Sequence, residues 1–161
     1  MALHPDGDIV ATGQMAAKEV TSWNRGKNKE GKLVNIMIWK ASTQEKMMEI
    51  HGFLRRAVKH LQFSPDGKKL LGIGADDHSS LVVYDWANGT MLANTKTDPG
   101  GVYSVCWKDN TIFATCGSKH VMTYTQSGQA ISKAKLPYIK QVGNLANTAC
   151  CFVKGKLYSG N

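Results

Sequence analysis

The chain has 161 residues, of which 42% are hydrophobic and 20% are charged. This length suits one ordinary domain or part of a larger one, and the composition is rich enough to bury a core, which excludes a disordered tail. The longest apolar runs are only a few residues, whereas a membrane-spanning helix needs about 20.

The formal net charge of +8 is unevenly distributed. Residues 1–100 hold thirteen basic and eleven acidic side chains, while residues 101–161 hold seven basic side chains and one acidic. A basic excess of this size attracts acidic partners over long range, but it does not identify them.

Short β-strands are predicted from the first residues onward. The sequence opens near the end of one strand at Ala2-Leu3-His4-Pro5, an Asp6-Gly7 turn follows, and residues 9–13 form a second strand. Such turns join antiparallel strands, because Asp and Gly favour tight-turn conformations. Residues 34–39 and 47–50 continue the pattern, so we expect one four-stranded sheet in this part of the chain.

A polar, glycine-bearing insertion interrupts this first unit at residues 14–33. It stands between the second and third strands, where a short turn is expected. Insertions in repeat proteins map to loops on one face, often a binding face. The alternative is a solvated or disordered loop without a binding role. The candidate partner-binding residues of the insertion are the basic side chains Arg25, Lys27, Lys29 and Lys32.

The same order of strands then recurs. An aromatic residue closes the first strand of each later copy at Phe63, Trp107 and Phe152, at intervals of 44 and 45 residues. The glycines that end the second strands are 43 residues apart. The predicted units cover about residues 1–52, 53–98, 99–140 and a truncated 141–161.

Four short strands in about 43 residues are the period of one blade of a WD-repeat β-propeller. A single sheet cannot cover both of its faces, so each blade must stack on the next. We therefore predict an all-β propeller fragment of about three and a half blades that one chain does not close. We expect the remaining blades of a longer chain, or self-association, to cover the end flanks. The alternative, a sandwich of unrelated hairpins, does not predict a common period.

The four cysteines show no Cys-x-x-Cys spacing, so the sequence indicates neither a zinc site nor a redox motif. We interpret them as reduced thiols of a cytosolic protein. Cys106 and Cys116 could face each other on neighbouring strands, although a role in the apolar core is the interpretation that we favour.

Signatures of catalysis are missing from the sequence. It contains no phosphate-binding loop and no nucleophile elbow. Gly72-Ile-Gly74 lies in a strand pattern and lacks the third glycine and the following helix of a dinucleotide-binding motif. The strongest metal-like cluster is Asp76-Asp77-His78, for which we favour a tight acidic turn over a bound cation. We expect no enzyme activity, no cofactor and no metal.

The segment from His4 to Gln14 resembles the "HPD…IATGQ" stretch of the echinoderm microtubule-associated protein-like family. Further similar segments follow in the same order as in the first propeller of that family, so the resemblance covers nearly the whole chain. These segments are residues 34–39, 52–58, 76–86 and 115–120.

This resemblance implies a non-catalytic protein-interaction propeller in the cytoplasm, linked to the cytoskeleton, with tubulin as a candidate partner. The Arg55-Arg56 corner joins the insertion as a candidate contact. One alternative is a generic WD-repeat adaptor without tubulin contact. An RNA-binding propeller is the weaker alternative, because three of the twenty basic residues are Arg and base or phosphate readout favours Arg.

Overall fold

The computed structural model describes residues 1–15, 34–118, 120–136 and 146–160. Within these ranges the chain forms fourteen β-strands. The same ranges contain no helix that is long and apolar enough to span a membrane. The prediction of an all-β protein is confirmed.

The first sheet contains four antiparallel strands in chain order. They are β1 (Ala2–Leu3), β2 (Ile9–Gly13), β3 (Ile36–Lys40) and β4 (Glu45–Ile50). In the register of this sheet, Ile38 lies between Ala11 on β2 and Met48 on β4.

The second and third sheets repeat this order of four antiparallel strands. The second contains β5 (Val58–Phe63), β6 (Lys69–Gly74), β7 (Ser80–Asp85) and β8 (Thr90–Lys96). The third contains β9 (Val102–Trp107), β10 (Ile112–Gly117), β11 (His120–Ser127) and β12 (Ala130–Lys135).

A two-stranded sheet, β13 (Ala149–Val153) and β14 (Lys156–Gly160), is the fourth unit of the described residues. Consecutive sheets pack on one another, and β13 lies against β9 and β10. No strand pairing in the described ranges joins the first sheet to the fourth. The strands therefore form a series of stacked blades without closing a ring, as predicted.

The second sheet is buried on both faces. Leu70 and Val82 point towards the first sheet, while Leu71 and Leu81 point towards the third, and all four side chains are fully buried. Since each buried aliphatic side chain contributes about 1.5–3 kcal/mol, these two boundaries hold the blades together.

Three aromatic rings fill the core of the third sheet. Phe113 and Tyr124 stack with their centroids 5.1 Å apart and their planes at 11°. Trp107 meets Phe113 at 4.9 Å and 63°, close to an edge-to-face contact. Offset stacked and edge-to-face pairs of this kind add about 0.5–1.5 kcal/mol beyond simple burial.

Hydrogen bonds also cross between blades. The His4 ring lies 3.0 Å from the carbonyl oxygen of Gly67, and Trp107 Nε1 donates to the carbonyl oxygen of Gln62 at 3.3 Å. His4 belongs to the first unit and Gly67 to the second, whereas Trp107 and Gln62 link the third sheet to the second.

The outer flank of the first sheet carries an apolar groove of about 340 Å³, lined mainly by Val10, Thr12 and Trp39. Trp39 Nε1 donates to the hydroxyl of Thr12 at 2.9 Å, and Leu3 is 62% exposed. This flank is uncovered among the described residues.

Candidate functional site

The connections between strands lie on two opposite faces, because each sheet is an antiparallel meander. One face holds the connections β4–β5 (51–57), β6–β7 (75–79) and β8–β9 (97–101), and we call it the insertion face. Neighbouring connections touch there: Ala75 N donates to Ala57 O at 2.9 Å, and Thr97 N donates to His78 O at 3.2 Å.

The insertion begins and ends beside the β4–β5 connection. Met15 forms a β-bridge with Ala57, and Val34 N donates to the carbonyl oxygen of Leu54 at 3.1 Å. Arg25, Lys27, Lys29 and Lys32 lie outside the described residues. The points at which the chain leaves for and returns from this segment are, however, both next to the predicted Arg55-Arg56 corner.

Arg56 is held at the corner by its neighbour across the face. Its two terminal nitrogens donate to the Asp77 carboxylate at 2.6 and 3.0 Å. Its backbone φ of 66° lies in the left-handed region, which residues other than glycine seldom adopt. The hydrogen bond and charge of Arg56 lower the pKa of Asp77, and the same contact raises the pKa of Arg56.

Leu54 anchors this corner in the core. Its side chain is fully buried and lies over β6, where a Cβ atom placed on Gly72 would come within 3.0 Å of Leu54 Cδ1. A Cβ on Gly74 would lie 3.4 Å from Leu54 Cδ2. The two glycines of the Gly72-Ile-Gly74 pattern therefore make room for the corner, and Arg55 is half-buried beside Leu54.

The Asp76-Asp77-His78 cluster forms a turn, as favoured from the sequence. The Asp76 carboxylate accepts hydrogen bonds from the backbone N–H groups of His78 and Ser80, and from the Ser80 hydroxyl at 2.9 Å. These bonds occupy the carboxylate with its own loop. Among the residues that the structure describes, no group of three His, Cys, Asp or Glu side chains could hold a metal ion.

A second ion pair on the insertion face joins Lys135 and Asp98, with 3.4 Å between Nζ and Oδ2. His120 Nδ1 is 3.7 Å from the other carboxylate oxygen of Asp98. Both ion-paired basic groups, Arg56 and Lys135, are about half exposed, so solvent screens them strongly.

Acidic turns are also found on the opposite face. Asp109 Oδ1 accepts hydrogen bonds from the N–H groups of Thr111 and Ile112, both at 2.8 Å. Asp6 and Asp66 cap their turns in the same way. The hydrogen bond from the Thr111 side chain, with those from the backbone, lowers the pKa of Asp109. Carboxylates on that face serve their own turns, as Asp76 does on the insertion face.

Cys106 and Cys116 do not lie opposite each other, and both are buried, as the favoured role in the apolar core predicts. In the β9–β10 register Cys106 lies opposite Ala114, and Cys116 lies opposite Ser104. The two cysteines are diagonal neighbours, two residues out of step. Cys106 instead meets Cys150 of the next blade at 3.4 Å between sulfurs, a contact that the sequence reasoning missed.

Comparison with known proteins places these features in context. No family model matches the chain. It is 30% identical over 148 residues to human echinoderm microtubule-associated protein-like 1. The alignment covers 88% of this chain and 17% of that protein. The chain is 33% identical over 135 residues to human echinoderm microtubule-associated protein-like 3. That alignment covers 80% of this chain and 14% of that protein. The chain thus spans less than a fifth of these relatives.

A more distant relative is centriole proteome protein 16 of Chlamydomonas reinhardtii, 24% identical over 157 residues, covering 85% of this chain and 8% of that protein. Among solved structures, the Cps50 (Swd1) β-propeller domain of Myceliophteria thermophila superposes with a TM-score of 0.64 at 16% identity, covering 84% of this chain and 36% of that one. A chain of the mitotic checkpoint complex gives 0.69 at 14%, covering 98% and 44%.

The strand order, the stacked sheets and the similar solved structures all indicate the same fold. This chain has the blade architecture of a WD-repeat β-propeller and, over most of its length, resembles a part of the echinoderm microtubule-associated protein-like proteins.

Proposed function

We propose that this chain is part of a non-catalytic WD-repeat scaffold that binds microtubules in the cytoplasm, with its insertion face as the contact surface. Each of the first three predicted units is then one blade, and the truncated fourth unit is half of one. The observation that carries the proposal is the position of Met15 and Val34, which bring both ends of the basic insertion to the Arg55-Arg56 corner.

The charge of the insertion supports an acidic partner. Residues 16–33 hold five basic and two acidic side chains. Across the whole chain seventeen of the twenty basic residues are Lys. Lysine attracts acidic surfaces as a flexible point charge, whereas arginine binds carboxylate and phosphate groups through two parallel hydrogen bonds. The acidic tails of tubulin are such a surface, and the names of the relatives include microtubule association.

The Arg56–Asp77 pair limits what the corner itself contributes. The Asp77 carboxylate is paired with Arg56 and partly cancels its charge. Asp77 is 75% exposed, so a partner at this surface meets both charges. An acidic partner gains most from the insertion and less from Arg56. Replacing Asp77 with Asn removes this competition, and we expect D77N to strengthen binding modestly.

Cosedimentation with microtubules tests the proposal. The quadruple variant R25A/K27A/K29A/K32A removes four positive charges from the insertion. We expect it to bind about tenfold more weakly, equivalent to about 1.4 kcal/mol, while its thermal unfolding is unchanged. Binding of the unmodified chain should also weaken as salt is raised, since exposed charges are screened within about 10 Å at 0.1 M salt.

A matched control removes the same charge from the opposite face. Four lysines there lie in or beside the turns, and the control variant is K40A/K68A/K108A/K156A. Equal loss in both variants would mean that net charge alone binds microtubules. Unchanged cosedimentation of the insertion variant would favour the alternative of an adaptor without tubulin contact.

Binding to random RNA under the same conditions distinguishes the nucleic-acid alternative. We expect the unmodified chain to prefer microtubules at physiological salt, because no stacking motif reinforces its attraction to RNA. Equal and equally salt-sensitive binding to both polymers would contradict a specific protein contact.

A further inference from the structure

Three cysteines from three strands converge at the boundary of the third and fourth sheets. Cys106 of β9 and Cys116 of β10 are buried, while Cys150 of β13 is half-buried. The sulfurs of Cys106 and Cys150 are 3.4 Å apart. The Ser104 hydroxyl oxygen lies 3.7 Å from the Cys150 sulfur and accepts a hydrogen bond from the Cys150 N–H at 3.3 Å.

This surrounding makes the three thiols unequal. Hydrogen bonds from the thiols of Cys106 and Cys116, and from the Ser104 hydroxyl, stabilise a thiolate at Cys150 and lower its pKa. The pKa values of Cys106 and Cys116 are raised, first because their protons are engaged by Cys150 and then because both are buried. We take Cys150 as the nucleophile because it is half-buried whereas the other two thiols are buried, and the lowered pKa agrees with this choice.

We propose that Cys106 and Cys150 are a redox-modification site, in which a hydroperoxide converts the two thiols into a disulfide between the third and fourth sheets. The inference rests on the contact between the two sulfurs and on the accessibility of Cys150, and it is independent of the microtubule proposal.

The chemistry proceeds in two balanced steps. The Cys150 thiolate attacks the peroxide O–O bond and, with one proton, gives a sulfenic acid and releases water from hydrogen peroxide. The Cys106 thiol then attacks that sulfur, forms the S–S bond and releases a second water. The pair loses two electrons and two protons, and the peroxide is reduced.

The geometry requires little movement. A disulfide has an S–S distance of about 2 Å, so the sulfurs must approach by roughly 1.4 Å. Cys151 is exposed and belongs to the other face of β13, because successive strand residues alternate. It therefore serves as the matched control for a thiol that is adjacent in sequence but away from the cluster.

Peptide mapping of the peroxide-treated 161-residue chain tests the assignment. Trypsin separates the cysteines into peptides 97–108 (Cys106), 109–119 (Cys116) and 141–154 (Cys150 and Cys151). We expect the intact monomer to lose about 2 Da, the mass of two hydrogens. A cross-link between peptides 97–108 and 141–154 should form and disappear on treatment with dithiothreitol.

Two variants assign the sulfur within the last peptide. Cys151→Ser should still form the cross-link, whereas Cys150→Ser should not. A cross-link from peptide 109–119, a dimer joined through Cys151, or a chain with four alkylatable thiols after peroxide would each overturn the proposal. The map of the unmodified chain is decisive even if Cys150→Ser does not fold.

Discussion

The ring of His60 donates a hydrogen bond from Nε2 to the carbonyl oxygen of Val102, 3.1 Å away. His60 lies on β5 and Val102 begins β9, so the bond ties the second sheet to the third. A carbonyl oxygen can only accept, which places the proton of the neutral ring on Nε2. Trp107 and Gln62 make a second link across the same boundary in the opposite direction.

Removing the His60 ring should weaken this boundary. Without the His60 ring, the buried Val102 carbonyl loses this hydrogen bond. We therefore expect His60→Ala to lower the free energy of unfolding by about 1–3 kcal/mol. Urea denaturation followed by intrinsic fluorescence measures the change. His78→Ala is the control, because that exposed side chain should contribute about 0.5 kcal/mol or less. Equal effects of the two variants would contradict the role of His60.

Stability should fall on mild acidification. Burial lowers the pKa values of His60 and His120 below the ordinary value of 6.5, although Asp98 partly opposes this at His120. The unfolded chain then binds more protons between 6.5 and the lower folded pKa values, so stability is full above 6.5 and is lost as the pH falls through that window.

Urea midpoints measured between about pH 8 and about pH 5 provide the test. We expect the decline to be shallower in His60→Ala, because one of the two titrating groups is gone. A midpoint that rises on acidification would be inconsistent with a buried His120 and a partly buried His60 in the neutral state.

The aromatic core of the third sheet should be sensitive to truncation. Phe113 is fully buried between Trp107 and Tyr124, so we expect Phe113→Ala to cost about 3–5 kcal/mol. Phe113→Leu should cost less and remain measurable if the Ala variant does not fold. Tyr158, at 54% exposure, is the control, and a similar loss in Tyr158→Ala would contradict the assignment of this core.

Two turn glycines form a matched pair. Gly67 and Gly128 have φ values of +73° and +57°, so alanine at either site adopts a left-handed conformation at a cost of about 1–2 kcal/mol. At Gly67 the new Cβ also collides with the His4 ring, whereas nothing lies within 4 Å at Gly128. Thermal unfolding should show a larger loss for Gly67→Ala, and equal losses would refute a close contact with His4.

The strands were predictable because their signals are local. Turn residues and the recurring aromatics and glycines indicated short antiparallel strands, although the strand ends differ from those expected. The prediction for 47–50 corresponds to Glu45–Ile50, and that for 34–39 corresponds to Ile36–Lys40. Strand ends depend on pairing with the neighbouring strand, which a single segment does not reveal.

The candidate surface was only partly predictable. The basic insertion and the Arg55-Arg56 corner stood out by composition, but the pairing of Arg56 with Asp77 joins two connections that are 21 residues apart. The interval of 44 residues between Cys106 and Cys150 was a usable signal, since it equals one blade period. Such residues occupy related places on consecutive blades, where stacking brings them together.

By itself, the sequence determined the four-strand period, the all-β class and the position of the basic insertion, because turn preferences and strand-forming residues act within a few residues. The tertiary structure alone decided which loops meet on the insertion face, which histidines are buried between sheets and which thiols touch. Those relationships arise when one sheet packs on the next, and they depend on distances between residues that are far apart along the chain.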